Sequence, residues 1–452
     1  MERFPLCRSL QRVLWPLLLL TVWDVSPAGA EEADLTERVR ILEARLAAFE
    51  SQTAATHFPW QKSDSFALRI GGFVQADAVA YRQDSEDQLD GATGQPLNET
   101  RFVIRRARLR AEAEARYVGG ALELDGNTVG TTQVRLLGAE VSAQYPSPGG
   151  DIPYVRATLG LFKIPFGREV RQYDPDRLFL ERSQVVRALF PGEYDLGIQL
   201  HGGFRFLRYA LALMNGEPSG EAQFAARDPN QSKDLVGRIS VDATWWKMVR
   251  LSAGMSGVYG EGFAPGRLAG KDALSFRDDN DDGQVQPSEI LVVRGQAAVP
   301  SQNFGREALG FDAEVTVQIP KLGALQLAGE VVIARNLDRG LFPADPVASG
   351  RDLRELGYYA QMVQEITPYA CLGVRYDVYD PDADRQQQLG VMRIPVSPLF
   401  STLTTTLAVQ HPRYGRVAME YQNQRNPLGR TAAGTPTTLG KDSVVLRAQV
   451  KF

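Results

Sequence analysis

An acidic segment between residues 277 and 290, RDDNDDGQVQPSEI, carries oxygen ligands at the spacing of a calcium-binding loop. It matches the EF-hand pattern D-x-[DN]-x-[DN]-G-x5-E, in which oxygens from alternate positions surround a hard cation and a final glutamate closes the shell. The predicted ligands are Asp278, Asn280, Asp282, Gln284 and Glu289, with Gln284 contributing its backbone carbonyl. Because no long amphipathic helices flank the segment, we expect one weak Ca²⁺ site in an isolated external loop. The alternative is a solvated acidic loop tip.

A second chemical pattern is a row of arginines that alternates with apolar residues in RRARLRAEAEARY. In an extended chain Arg106, Arg108 and Arg110 share one face and stand about 7 Å apart. A guanidinium group stays charged at any relevant pH and donates two parallel hydrogen bonds to an oxyanion. The row is therefore a candidate ladder for anions. The alternative is that Glu112, Glu114, Asp77 and Glu123, which can lie on the same inner wall, pair with these arginines and brace the structure.

Other residue types that commonly carry chemistry indicate no site. The histidines are His57, His201 and His411, and none has the spacing of a zinc site. No phosphate-binding loop or nucleophile elbow occurs in the sequence. Cys371 remains alone once Cys7 leaves with the predicted export signal, so no internal disulfide is expected. We therefore expect no enzyme and no required cofactor, and the net charge of −4 gives no reason to expect a nucleic-acid partner.

The elements that must position these residues follow from the alternation of apolar and polar side chains. In FALRIGGFVQADAVA, ALGFDAEVTVQI and LVGRISVDATW apolar residues recur at every second position, and the residues between them are mostly charged or polar. A period of two indicates β-strands with one apolar face. These segments run to ten or more residues, whereas strands of soluble proteins usually have ~5 to 6. A tilted strand that crosses a membrane needs about 9 to 11 residues.

The connections between these segments alternate between short and long, as in outer-membrane barrels. Reading from Phe66, we expect about sixteen strands, and only the gap near Asn127 is short where a long loop is due. The final segment, SVVLRAQVKF, has one apolar face and ends at Phe452, the aromatic carboxy-terminus that barrel-assembly machinery recognises. The predicted fold class is all-β: a 16-stranded antiparallel transmembrane β-barrel with a short N-terminal coiled-coil helix.

The part of the chain before the barrel divides into three segments. Residues 1–30 have a basic start, an apolar stretch and a small-residue cleavage site, which predicts a signal peptide. Residues 31–51 carry apolar side chains at spacings of four and three, which predicts a periplasmic coiled coil. A solvated tether is the alternative for that segment. Residues 52–65 are interpreted as a linker, and residues 66–452 as the transmembrane barrel domain.

Three motifs follow one another between residues 159 and 202: GLFKIPFGRE, ERS and GIQLHG. Together with RRAR in FVIRRARLR, they resemble the phosphate-selective porin O and P family. That family carries G-x-F-K-x-P-F-G-x-E at a strand end, then E-R-S, then a G-[IV]-x-L-x-G strand. The similarity extends over most of the mature chain. The resemblance implies a homotrimer of sixteen-stranded barrels that passes small solutes across the bacterial outer membrane.

The resemblance also implies a set of anion-binding residues. In such porins the third external loop folds into the barrel and narrows the pore, and basic residues there attract anions such as phosphate. The matched basic positions are Arg105, Lys163, Arg168, Arg171, Arg177, Arg182 and Arg187. Arg105 is included because the family pairs two arginines at that point. One departure argues against anion selectivity: Glu193 and Asp195 precede the GIQLHG strand, where many members carry an arginine.

These observations predict an outer-membrane porin for small hydrophilic solutes, with outer-membrane lipid and further copies of the chain as partners. Small inorganic anions such as phosphate are the expected cargo. A non-selective or cation-tolerant diffusion pore is the first alternative, because rings of acidic side chains favour cations. A secreted calcium-binding β-rich adhesin or structural protein is the alternative from another class, because soluble antiparallel sheets also alternate.

Overall fold

The computed structural model describes residues 58–63, 66–82, 89–90, 100–129, 132–147, 152–219, 228–245, 248–276, 283–284, 286–389, 392–395, 399–411, 414–425, 429–430, 436–437 and 441–452. The predicted signal peptide and coiled coil, residues 1–51, lie outside the described residues. No helix among the described residues is long and apolar enough to cross a bilayer.

Seventeen strands form one antiparallel sheet, and all but Phe58–Ser63 belong to a closed ring. The first eight strands of the ring are β1 (Phe66–Tyr81), β2 (Arg101–Ala115), β3 (Val118–Asn127), β4 (Gln133–Tyr145), β5 (Val155–Lys163), β6 (Tyr194–Phe204), β7 (Leu207–Met214) and β8 (Asp234–Trp245). The other eight are β9 (Val249–Ala264), β10 (Gln302–Ile319), β11 (Gly323–Arg335), β12 (Arg354–Thr367), β13 (Ala370–Asp380), β14 (Phe400–His411), β15 (Gly415–Arg425) and β16 (Lys441–Lys451). The predicted 16-stranded antiparallel barrel is therefore confirmed.

The ring closes where the last strand pairs with the first. β16 runs antiparallel to β1 over most of its length. The carboxy-terminal residue continues this pairing, because the Phe452 N–H donates to the Gly72 carbonyl at 3.0 Å and the Gly72 N–H donates to the Phe452 carbonyl at 2.8 Å. Closure removes the unpaired strand edges, which hydrocarbon could not solvate.

Apolar side chains cover the outside of the barrel, and polar side chains line much of the inside. Leu109, Ile239 and Phe311 belong to the outward rows and are exposed. Gln75 and Glu420 belong to the inward rows and are fully buried. Exposed apolar rows of this kind are typical of barrels that face hydrocarbon. The alternation predicted from the sequence is confirmed in these strands.

The connections alternate between short and long, as predicted. Those at one end of the barrel span residues 116–117, 146–154, 205–206, 246–248, 320–322, 368–369 and 412–414. Those at the other end span residues 82–100, 128–132, 164–193, 215–233, 265–301, 336–353, 381–399 and 426–440. The short connection near Asn127 is the expected exception. Several long loops carry small hairpins, one of which pairs Ala273–Phe276 with Ile290–Val293.

The third long loop, residues 164–193, lies inside the barrel. It contains a 3₁₀ turn, Asp174–Asp176, and helix α1, Gln184–Leu189. Apolar side chains of the loop, such as Phe166 and Leu189, join inner-wall residues of β7 to β14 in one buried cluster. The sequence predicts a polar, water-filled lumen. The structure shows that the lumen also contains an apolar core, which holds the loop in place.

A β-bulge in β2 changes which side chains face inward. Gln75 of β1 lies opposite Arg106, and the next residue, Ala76, lies opposite Ile104. Arg105 is therefore the extra residue of the bulge, and both Arg105 and Arg106 reach an acidic partner inside the barrel. A strict period of two puts Arg105 on the outer face. The bulge is the physical reason why it departs from that period.

Gly160 of β5 lies close to the backbone of β4, so a substitution at this position tests the pairing of the two strands. Its φ is +133°, and a Cβ atom there would lie 2.2 Å from the Ala139 carbonyl oxygen. We expect Gly160→Ala to destabilise the barrel by about 1–3 kcal/mol. Gel electrophoresis of samples heated in steps should show the folded band converting to the unfolded band at a lower temperature.

Gly305→Ala is the matched control for this prediction. Gly305 lies in β10, and nothing lies within 4 Å of the position that its Cβ would take. We expect this variant to convert at the temperature of the unchanged protein or above it. If Gly160→Ala and Gly305→Ala convert from the folded to the unfolded band at the same temperature, the result contradicts the register between β4 and β5.

Candidate functional site

The inward loop, residues 164–193, and the arginines around it form the candidate functional site. The loop leaves the wall at the end of β5 and returns to it at the start of β6, and these two strands are neighbours. The Ile164 N–H donates to the Glu193 carbonyl at 2.9 Å, so the two ends of the loop are joined. The loop must therefore cross the lumen and come back to the same place in the wall.

Asp174 is the centre of a buried cluster of arginines. Arg108 of β2 donates to one of its carboxylate oxygens, while Arg177 and Arg182 of the loop approach the other. Arg106 lies 3.9 Å away, and the Asp174 side chain is fully buried. Four guanidinium groups around one carboxylate fasten the loop to β2. Arg106 and Arg108, which belong to the predicted ladder, therefore contact the loop.

Glu181 forms a second junction, at the seam where the barrel closes. Arg105 of β2 donates to its two carboxylate oxygens at 2.7 and 2.9 Å. Arg447 of β16 donates to it at 3.0 Å and also forms two hydrogen bonds of 2.7 Å with Asp77 of β1. The loop is therefore tied to the first, second and last strands at one point.

Carboxylates of the wall accept backbone N–H groups of the loop. Glu330 of β11 accepts from two consecutive loop residues at 3.3 and 3.2 Å. Glu420 of β15 accepts from Leu180 at 2.9 Å. Asp377 of β13 accepts from Gln184, the first residue of α1, at 3.0 Å. These bonds satisfy N–H groups that burial would otherwise leave unpaired, which costs free energy.

Two further predicted basic residues are paired with wall carboxylates. Arg110 donates to Glu123 at 2.9 Å, and Arg168 donates to Glu314 at 2.6 Å. The predicted ladder of Arg106, Arg108 and Arg110 thus consists of ion-paired groups in this structure.

The acidic residues that depart from the family pattern lie at the exit of the loop. Glu193 contacts Arg182 and lies 3.4 Å from the amine of Lys163. Asp195 accepts the Gly216 N–H at 2.7 Å and holds the next external loop. Glu193 therefore neutralises cations that the family resemblance assigns to anion binding.

Arg171 and Arg187 differ from the other predicted basic residues. Both side chains are exposed, although the loop that carries them lies inside the barrel. Neither forms an ion pair or hydrogen bond with another described residue. The surrounding wall partly desolvates Arg171, and Arg238 repels it, which lowers the pKa of Arg171. An exposed charge within the ring indicates a solvent-filled space beside the loop.

Asp174 and Glu181 of the loop stay ionised at low pH, because the pKa of each is lowered. Burial alone would raise the pKa of Asp174, but Arg108 and Arg177 outweigh it and hold that pKa well below its ordinary value. The pKa of Glu181 is also well below its ordinary value, because Arg105 outweighs burial there. Each carboxylate therefore contributes stability above its unfolded pKa, about 4, and the contribution is lost as pH falls through the lower folded pKa.

The segment that carries the predicted calcium ligands connects two paired strands, Ala273–Phe276 and Ile290–Val293. Gly283 has a φ of +69°, as the sharp turn of such a loop requires. Gln284 is exposed, and Glu289 ends a 3₁₀ turn. The predicted ligands outside the described residues are Asp278, Asn280 and Asp282. Within the described part of the chain, no three His, Cys, Asp or Glu side chains are placed to hold a metal ion.

Sequence reasoning missed the role of the acidic residues in the loop. Asp174 and Glu181 lie in the segment that carries the predicted arginines, yet their role depends on how the loop packs. Asp77 and Arg447 are directly opposite each other across the seam. Both occupy inward positions of their strands, so pairing the first strand with the last would have predicted this contact.

Comparison with known proteins identifies the fold. No family model matches the sequence, and no curated protein matches it. Among solved structures, OprB of Pseudomonas putida has a TM-score of 0.53 at 8% identity, over 86% of this chain and 94% of that chain. The outer membrane channel DcaP of Acinetobacter baumannii has a TM-score of 0.51 at 10% identity, over 87% of this chain and 99% of that chain.

OmpT, an outer membrane protein of Vibrio cholerae, has a TM-score of 0.50 at 9% identity, over 87% of this chain and 99% of that chain. The chain shares the barrel fold of these proteins. At such identities the likeness concerns the fold alone. The resemblance to the phosphate-selective porin O and P family stays a prediction.

The Asp174 cluster generates a test of how the loop is held. We expect Asp174→Asn to weaken loop docking by about 3–5 kcal/mol, because it leaves buried guanidinium groups without their carboxylate. Trypsin should then cut within the loop, whereas the unchanged barrel should resist. The difference should persist at pH 4 and shrink only at lower pH, because the pKa of Asp174 is lowered.

Asp176→Asn, two residues further on, is the matched control for loop docking. Asp176 pairs with Lys451, but its side chain is 58% exposed. An exposed pair contributes only ~0–1 kcal/mol. Equal protection of the loop in the two variants contradicts the role assigned to Asp174.

Proposed function

We propose that the protein is a channel of the bacterial outer membrane that passes small hydrophilic solutes. The observation that carries the proposal is the closed ring with exposed apolar rows outside and charged residues inside. A closed ring leaves no unpaired backbone in lipid, and a charged lumen admits water. The likeness to the outer membrane channel DcaP supports the same function. A secreted calcium-binding adhesin would instead need to cover its apolar rows.

We propose small inorganic anions such as phosphate as the preferred solutes. Arg171 supports this preference, because its exposed guanidinium group has no partner among the described residues and has Arg238 nearby. A positive charge beside the ion path favours anions. The alternative, a non-selective or cation-tolerant pore, is supported by the pairing of the other cations. Arg106 and Arg108 pair with carboxylates of the loop and can serve to brace it, whereas Arg110 pairs with Glu123 of the wall.

We also propose that three copies assemble in the outer membrane through the face formed by β1 and β2. The outward positions of these strands carry many small side chains: Ala76, Ala78, Ala107, Ala111, Ala113 and Ala115. Small side chains allow two membrane-embedded surfaces to approach closely. Phe102, 89% exposed, stands beside an apolar groove on this face and can fill a complementary groove of a neighbouring copy.

Ion selectivity tests the proposed function. In a planar bilayer under a KCl gradient, we expect a reversal potential whose sign favours chloride. Arg171→Gln should lower the chloride-to-potassium permeability ratio by roughly fivefold, because a unit charge a few ångström from an ion contributes about 1 kcal/mol in water. Arg354→Gln is the control, because Arg354 pairs with Asp384 at the rim and is 56% exposed. A cation-favouring sign in the unchanged protein rules out the anion preference.

We propose further that the hairpin tip at residues 277–290 binds Ca²⁺ and that binding orders this external loop. The hairpin strands replace the helices that frame an EF-hand, and the left-handed conformation of Gly283 fits the turn. Binding would neutralise a cluster of carboxylates that otherwise repel one another.

Calorimetric titration of the solubilised protein with CaCl₂ tests this site. We expect one weak site, with an affinity in the range of extracellular modules, about 10⁻⁴–10⁻³ M. Asp278→Ala and Glu289→Ala should each abolish the binding heat. Asp272→Ala, outside the pattern, should leave it unchanged. The same heat in all three variants excludes the assigned ligands.

A further inference from the structure

A cavity lies between the inward loop and the wall formed by β11 to β15. Its volume is about 160 Å³. A cavity of about 150 Å³ is large enough for a six-membered ring, so this one has room for a small organic solute. Groups of the lining that can form hydrogen bonds to such a solute include Gln172, Arg177, Gln361, Glu365, Gln410 and Arg416. Loop and wall both contribute, so the cavity depends on the docked position of the loop.

Two guanidinium groups bring positive charge to this cavity. Arg177 is only 3% exposed, and its Nε and Nη1 have no hydrogen-bond partner among the described residues. Arg416 of β15 donates to the Arg177 carbonyl and forms no ion pair with another described residue. A buried N–H without a partner costs free energy that an acceptor on a ligand would recover. The pair is therefore suited to a carboxylate.

Four side-chain amides belong to the lining, and one of them, Gln326, donates to Glu314 at 2.8 Å; the other three are Gln172, Gln361 and Gln410. Gln172 comes from the loop, Gln361 from β12 and Gln410 from β14. In the part of the chain that the structure describes, no hydrogen bond engages any of these three amide groups. An amide offers both donors and an acceptor, which matches the hydroxyl group, itself a donor and an acceptor. Amides in this number favour a hydroxylated ligand over a bare anion.

Two of the three carboxylates that line the cavity are paired with cations outside it. Asp176 pairs with Lys451 at 2.7 Å, and Glu169 pairs with Arg375 at 3.2 Å. Glu365 accepts the Ala324 N–H at 2.9 Å and has no cationic partner among the described residues. Its remaining acceptor capacity can take a hydrogen bond from a ligand hydroxyl.

We propose that this cavity binds a small hydroxylated carboxylate on its way through the channel. Arg177 and Arg416 hold the carboxylate, and the amides of Gln361 and Gln410 bind the hydroxyl groups. The inference rests on the proposed channel function and deepens it, because it names an organic solute class for a site in the lumen.

Three probes of similar size separate the features of such a ligand. Glycerate carries both a carboxylate and hydroxyl groups, propionate lacks the hydroxyls, and glycerol lacks the charge. Each is added to single channels at fixed chloride concentration and ionic strength, and the reduction of the chloride current is measured. We expect glycerate to inhibit at a concentration about tenfold below propionate, because a site built for hydroxyls discriminates against a ligand without them. Glycerol should inhibit least.

Two variants assign the inhibition to the cavity. Arg416→Gln should raise the half-inhibiting concentration of glycerate about tenfold, the typical loss for one charged hydrogen bond. Gln361→Met should raise the half-inhibiting concentration of glycerate towards that of propionate. The half-inhibiting concentration of propionate should stay unchanged, a result that a merely structural role does not produce. Arg250→Gln is the matched control, because it removes an exposed arginine of β9 outside the cavity. Each inhibition is compared with the uninhibited current of the same variant.

The outcomes separate this inference from the proposed function. Glycerate inhibition that depends on Arg416 and Gln361 supports the site. Equal inhibition by the three probes overturns the proposed site but not the proposed channel. Unchanged glycerate inhibition in Arg416→Gln and Gln361→Met has the same consequence. Absence of any chloride current in the unchanged protein overturns the channel itself.

Discussion

The hydrogen bonds of the backbone are the constraint on which the rest of the structure depends. Hydrocarbon offers no partner to an N–H or C=O group, so a sheet in a bilayer must close. Here closure is the pairing of β16 with β1, continued by the reciprocal bonds between Phe452 and Gly72. Once the register of the ring is set, each side chain is committed to lipid or lumen. The bulge at Arg105 is the local exception, and it adds a second consecutive arginine to the inner wall.

The interior must then accommodate a long loop and satisfy most of its polar groups, and Nε and Nη1 of Arg177 are among the exceptions. Apolar residues such as Phe166 and Val185 pack with the wall, and buried charges are matched in place. Asp174 faces several arginines, while Glu330 and Glu420 accept loop N–H groups. Removing one member of a buried set leaves its partners uncompensated, which costs more than the pair itself contributes. The loop is therefore fixed by mutual satisfaction of its charges.

Alternation along the chain was sufficient to predict the barrel, its strand number and the order of short and long connections. The period of two is a local property, and it appears as alternating burial in strands such as β10, β11 and β14. The candidate site was less accessible, because it depends on contacts far apart in sequence. The Arg108 to Asp174 contact joins β2 to the loop, and Arg447 reaches both Asp77 and Glu181. The motifs located the loop, but only packing shows which charges neutralise each other.

The arginines inside the barrel fall into two groups, those paired with carboxylates and those without a carboxylate partner. The sequence alone does not distinguish these groups. An arginine whose donors are taken by buried carboxylates can offer little to a passing solute, since the solute would have to displace a better-placed partner. Arg106 and Arg108 belong to this class and act on the loop. Arg171 and Arg416 have no carboxylate partner among the described residues; Arg171 is exposed, and Arg416 lines the cavity between the loop and the wall. In the proposed channel, solute recognition would depend on guanidinium nitrogens that loop docking leaves free, which include Nε and Nη1 of Arg177.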